Sequence, residues 1–235
     1  MAQFRPGGFQ ILPPVIKNLI IINVLVFLAT QTFGPVIEAT MTNILALHNV
    51  QSAFFRPHQL VTYLFMHGGW QHIFFNMLAL WMFGAQLENY WGAKRFLIFY
   101  MVSGIGAGIA HLAVLYFEFA PIMDQIHALP IEAQQQYLLD PNLAFNGTTV
   151  GASGAVFGCL AAFGYLFPNS EMIIIPIPFP LKAKWVVLGY AALELFSGVR
   201  GSAGDNVAHW AHLGGGLVGL LLVIYWNRNN RKTFY

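Results

Sequence analysis

The sequence predicts an all-α polytopic membrane protein, a bundle of six transmembrane helices. Composition is the first reason: of 235 residues, 57% are hydrophobic and only 9% charged, against roughly 25% charged in an ordinary soluble domain. The second is that six separate stretches approach the ~20 apolar residues needed to cross a bilayer. The third is where the basic residues fall. With both termini inside, Arg5, Lys17, Lys94, Arg95, Lys182, Lys184, Arg228, Arg231 and Lys232 are cytoplasmic and only Arg56 and Arg200 external. This positive-inside bias requires an even number of spans.

The stretches run approximately 15 to 33, 70 to 91, 95 to 117, 149 to 167, 183 to 198 and 206 to 226. The fourth and fifth are short, but the segment between them, MIIIPIPFP, carries prolines at 176, 178 and 180 and cannot be a continuous helix. It reads as an apolar loop near one interface. Residues 118 to 148 hold Glu118, Asp124, Glu132 and Asp140 without a Lys or Arg, and read as an external loop, either a surface helix or unstructured. The opening MAQFRPGGFQILPP lacks the features of a removable signal peptide. Residues 1–235 read as a single membrane domain. The formal charge of +2 and its scatter exclude a nucleic-acid surface. The single cysteine, Cys159, offers no disulfide framework or cysteine metal site.

Polar side chains inside a span are costly and mark function by default. The second stretch opens His72-Ile-Phe-Phe-Asn76, the fourth Gly151-Ala-Ser153-Gly154, and the sixth contains His209-Trp-Ala-His212. All three descend from the outer side, so at about 1.5 Å per residue these groups share a level below the outer surface. His72 and Asn76, four apart, occupy one helical face. Ala208, His212, Gly215 and Gly219 form a small-residue stripe, and Gly151, Gly154 and Gly158 flank the serine; small residues let membrane helices approach closely. A hydroxyl and an imidazole meeting there suggest acyl transfer, with Ser153 as nucleophile and His212 as general base. His72, Asn76 and the Ser153 amide would serve an oxyanion. Phe157, one turn below Ser153, is placed to stack on His212. Glu88 and Glu194 are read as lying toward other ends or faces, which leaves a dyad rather than a triad.

Three motifs, HGGWQHIFFN at 67 to 76, GASGAVFG at 151 to 158 and AHLGGGLVGL at 211 to 220, resemble those of the rhomboid family of intramembrane serine proteases, in the family's order and on its spans. The resemblance covers nearly the whole chain. It implies a rhomboid-like six-helix fold, a Ser153–His212 dyad, and an oxyanion hole of His72, Asn76 and the Ser153 amide. It also implies a substrate-binding face that includes Gly151 and Phe157, and structural support of the external loop by His67. Two positions depart from the family pattern: His58-Gln59 stands where many members carry Trp-Arg, and Phe157 where tyrosine is common.

The expected activity is endoproteolysis of single-span membrane proteins near the outer face, with the bilayer as the other partner and no cofactor. A substrate helix must unwind locally, because a helical amide is already hydrogen-bonded. The alternative is a non-proteolytic relative that binds membrane clients; such relatives typically lack the serine or the histidine, and both are present. Zinc held by His209 and His212 with His67 and His72 is a lesser reading, since there is no HExxH and no carboxylate is expected nearby. The absence of an Arg-rich, Ser-rich leader makes a bacterial-type plasma membrane the default location.

Overall fold

The computed structural model describes residues 8–140, 143–173, 179–200 and 208–228. Arg5, Arg231, Lys232, Pro176, Pro178 and the first two residues of the sixth stretch lie outside the described residues. Helices stand at all six expected stretches. Pro14–Thr32, Ala93–His127 and His209–Arg228 are long and apolar enough to cross a membrane, and Ser153–Leu166 is a shorter apolar helix. The helices turn apolar side chains outward, among them Ile21 and Leu25, Leu193 and Phe196, and Leu217 and Leu221. Such an exterior suits lipid rather than water.

Helix α1 (Pro14–Thr32) starts with proline, whose missing N–H is no loss at that position. The Glu88 carboxylate, nearly sealed from solvent, accepts from the next two amides: Val15 N–H at Oε1 and Ile16 N–H at Oε2, each at 2.9 Å. This is a helix cap supplied by a residue 72 positions away, and it complements the positive end of the helix dipole. Glu88→Gln would turn an amide NH₂ toward one of these donors. The expected loss is about 1–3 kcal/mol of stability, read as a lower thermal midpoint in detergent.

Between α1 and the second stretch the chain forms α2 (Pro35–Leu45) and the short α3 (Gln59–Thr62), neither expected from the sequence. Gln59 is wholly buried and holds this connecting segment together. Its amide donates to the carbonyls of Asn43 and Phe54, and its oxygen accepts from the Arg56 and His48 amides. His58 Nε2 bonds the Ile44 carbonyl at 2.7 Å. The departure at His58-Gln59 thus leaves a polar knot that fixes the loop.

The second stretch is one helical run: α4 (Trp70–Ala79), a π-helical turn (Leu80–Gly84) and α5 (Ala85–Trp91). Gly92, at φ +82°, reverses the chain into α6 (Ala93–His127). This helix continues ten residues past the expected end at 117. Met123 and Ile126 on its extension pack with Phe145, Leu138 and Leu143 in a small satellite core. The described residues of the segment read as an external loop contain the end of α6, then α7 (Ile131–Leu138), and a return that pairs Thr148 and Thr149 antiparallel to His48 and Leu47. That pairing also explains why the fourth helix, α8 (Ser153–Leu166), begins four residues later than expected.

Glu171 and Met172 pair with Lys182 and Leu181 before α9 (Ala183–Arg200), and α10 (His209–Arg228) closes the chain. The tightest packing joins α8, α10 and α6. A Cβ on Gly215 would fall on the carbonyl oxygen of Gly154, one on Gly219 would lie 2.7 Å from Gly158 Cα, and one on Gly158 would lie 2.6 Å from Ser103 Cβ. At 215 and 219 glycine is required because backbone meets backbone.

Candidate active site

Ser153 is the first residue of α8, and no side chain caps that helix, so its leading amides are not engaged by a cap. The residue before the turn into the helix, Gly151, sits at φ +130°. A Cβ there would be strained, 2.8 Å from His72 Nε2 and 3.5 Å from Ser153 Oγ. His72 and Ser153 therefore border one small space that the absent side chain keeps open. The Gly151 amide donates to the Tyr63 carbonyl at 3.0 Å, which anchors this bend to the segment that precedes α4.

The close approach of α8 and α10 brings Ser153 Oγ to 2.8 Å from His212 Nε2, inside the range for a nucleophile and its base. Phe157 lies flat on the His212 ring, with centroids 4.4 Å apart and planes 5° from parallel. Phe157 also meets Tyr190 of α9 edge-on. The two rings fix the imidazole in its plane. Asn76, buried on α4, donates one amide hydrogen to the His72 carbonyl at 3.1 Å, leaving the second for another acceptor.

The carboxylate of Glu194 was not expected here. Its Oε2 lies 3.0 Å from His212 Nδ1 and 2.6 Å from His209 Nδ1. The second contact is a hydrogen bond. In the first, the oxygen lies off the ring N–H direction, so it acts mainly through charge. The reading that no acid shares the level of the base is thus corrected. Depth counting carries a signal for it: Glu194 stands four residues from the C-terminal end of the fifth stretch, just as Ser153 stands four residues into the fourth. What the sequence hides is the face of α9 that turns toward α10.

Other histidines sort by neighbour. His111 bonds Thr149 Oγ1 at 2.8 Å, tying α6 to the short β pairing. His67 precedes α4, buried, with its ring edge-on to His72 at 5.0 Å. Burial, then the proximity of His72, pushes its pKa down to about 3 from 6.5. The folded chain keeps His67 neutral while the unfolded chain takes up a proton below 6.5. Stability from this residue is therefore full at neutral pH and is lost as pH falls from 6.5 toward 3, by up to about 1.4 kcal/mol per pH unit. The expected result is an acid-sensitive thermal midpoint whose slope is shallower in His67→Gln. His48, also lowered by burial, adds a slope of the same sign that this substitution leaves in place.

The family model for the Rhomboid domain matches residues 55–229, which include every residue of this site. The chain belongs to the rhomboid family. This rhomboid is a multi-pass integral membrane protein. It is 31% identical over 174 residues to "Rhomboid protein 1, mitochondrial" of Saccharomyces cerevisiae, covering 72% of this chain and 41% of that protein. To "Rhomboid protease GluP" of Bacillus subtilis it is 30% identical over 159 residues, covering 67% and 24%. To "Rhomboid protease AarA" of Providencia stuartii it is 28% identical over 167 residues, covering 68% and 53%. The chain spans less than two thirds of the length of each. Because relatives named as mitochondrial stand beside bacterial ones, the expected bacterial-type plasma membrane draws no support from them.

Proposed function

We propose that this rhomboid is an intramembrane serine endopeptidase that cleaves single-span membrane proteins near one membrane face. The observation that carries the reading is the 2.8 Å contact between Ser153 Oγ and His212 Nε2, brought about by the glycine contact of two apolar helices. In the proposed reaction His212 Nε2 takes the Ser153 proton as Oγ attacks the scissile carbonyl. It returns that proton to the amine as the C–N bond breaks, leaving an acyl-enzyme. Water then adds to the acyl carbon, giving its proton to His212, and His212 returns that proton to Oγ as the ester bond breaks, restoring the Ser153 hydroxyl. The Ser153 amide, His72 and Asn76 donate toward the oxyanion formed in each half. The open space at Gly151 lets the substrate backbone lie against Ser153 and His72. The Phe157 ring bounds the same side.

The charge balance of the loops favours six spans with both termini on the cytoplasmic side. In that orientation the site lies below the outer face, where hydrolytic water can enter. Replacing helix-weakening Gly or Pro near the scissile bond of a substrate by Leu would slow cleavage, since the substrate amide must leave its helix first.

Glu194 acts as a positioning residue: its charge steadies the imidazolium that His212 becomes in each half-reaction. Glu194→Gln is expected to lower kcat about tenfold or more, with KM and the thermal midpoint little changed. The test of the whole reading is treatment of the purified chain in detergent with a fluorophosphonate, the label being mapped by mass spectrometry, beside cleavage of a single-span reporter. A label on Ser153 with reporter cleavage supports it. Neither label nor cleavage would overturn it in favour of a client-binding protein.

A further inference from the structure

Glu194 gives the site a second possibility that a serine and a histidine alone do not. Glu194 Oε2, His209 Nδ1 and His212 Nδ1 come from two helices and lie within 4.8 Å of one another. All three side chains are only slightly exposed, between 11% and 14%. Two imidazoles and one glutamate make a three-ligand zinc set, which leaves a fourth position for water. Ligand atoms around a tetrahedral zinc are about 3.3 Å apart, and the carboxylate oxygen is already 2.6 and 3.0 Å from the two ring nitrogens. Bringing that oxygen to zinc-ligand spacing from each ring nitrogen takes a shift of under 1 Å. The nitrogen and oxygen donors favour zinc over magnesium or calcium.

We propose that Zn²⁺ binds Glu194, His209 and His212 and switches this rhomboid off. The inference rests on the protease reading above. Its chemistry follows from the two ring nitrogens of His212. Catalysis needs the proton on Nδ1 and a free lone pair on Nε2, the atom 2.8 Å from Ser153 Oγ. A cation on Nδ1 displaces that proton, and the neutral ring then carries its proton on Nε2. That nitrogen can donate to Ser153 but no longer accept from it. The metal also withdraws Glu194 from the base. Zinc here would block the reaction without occupying the substrate space beside Gly151.

The experiment uses the full chain in detergent, freed of metal by chelator and then titrated with Zn²⁺, with Co²⁺ as a spectroscopic probe in a parallel sample. One equivalent of Co²⁺ is expected to give visible absorption of a four-coordinate site. Zn²⁺ should reduce both reporter cleavage and fluorophosphonate labelling at least about tenfold, reversibly on adding chelator. In His209→Asn, each rate being taken relative to the same protein without metal, the inhibition midpoint should rise by at least about tenfold, the loss expected even for an outer-shell partner. Unchanged Co²⁺ absorption or Zn²⁺ inhibition in His209→Asn, no stoichiometric binding, or activation by Zn²⁺ would each overturn the proposal. A metal-free wild type that neither cleaves nor labels would overturn the protease reading instead, and the Co²⁺ spectrum would still decide the site.

Discussion

Ser153→Ala is expected to abolish both cleavage of a single-span reporter and fluorophosphonate labelling, and His212→Ala to lower them roughly 10⁴-fold or more. The two effects differ in kind. Without the hydroxyl there is no atom to form the acyl-enzyme. Without the imidazole the hydroxyl remains, but its proton has no acceptor, since the opposite neighbour across Gly151, His72, is assigned to donate. Removing His212 also frees one face of Phe157, which is stacked 4.4 Å from it, so the His212→Ala protein should lose a little stability as well. His212→Gln keeps more of that packing and separates the chemical loss from the structural one. Cleavage by Ser153→Ala at more than a trace would rule out the serine mechanism.

Gly215→Ala should unsettle the bundle more than any other single methyl added to its glycines, and Gly216→Ala should not. A methyl at Gly215 would fall on the Gly154 carbonyl oxygen, backbone that cannot rotate away, whereas the nearest atom to a methyl at Gly216 is the Phe157 carbonyl oxygen at 3.9 Å. The first substitution forces α8 and α10 apart, at a cost of about 1–3 kcal/mol or more. The second gains helix propensity, about 1 kcal/mol at most. Thermal midpoints of the two variants in detergent should fall on opposite sides of the wild type. Gly215→Ala should also slow fluorophosphonate labelling, because separating the helices lengthens the Ser153–His212 contact. Equal midpoints would mean that the helices are not held at the separation described.

Much of this arrangement is legible in the sequence because membrane helices obey two simple periodicities. The stripe of Ala208, His212, Gly215 and Gly219 needs only the helical repeat, and the shared level of Ser153, Asn76 and His212 needs only the rise per residue. The residues that escape such counting are those fixed by rotation or by distant partners. Glu194 has the correct depth, yet nothing local says that its face of α9 turns toward α10. Glu88 looks like an acid near an inner interface, and only the packing of α1 against α5 makes it a cap for Val15 and Ile16. The extension of α6 through His127 escapes for a different reason: its polar residues suggest a loop, while Phe145 and Leu143 supply the partner surface from a position far along the chain. Gln59 is similar, since its bonds to Asn43 and Phe54 depend on how two short helices meet.

The π-helical turn at Leu80–Gly84 sets the angular phase between two ends of one helix. Above it, His72 faces the space beside Gly151 and Ser153; below it, Glu88 faces the start of α1. A π turn accommodates one residue more than the α-helical path it replaces, and one residue corresponds to about 100° of rotation about the axis. A chain shortened by one residue there would still form a continuous helix of nearly the same length and hydropathy. It could not present both faces correctly at once: aligning Glu88 with Val15 and Ile16 would swing His72 away from the space beside Gly151. The register of His72 against Gly151 is therefore stored in the middle of the helix, away from the candidate site at one end and the capping at the other.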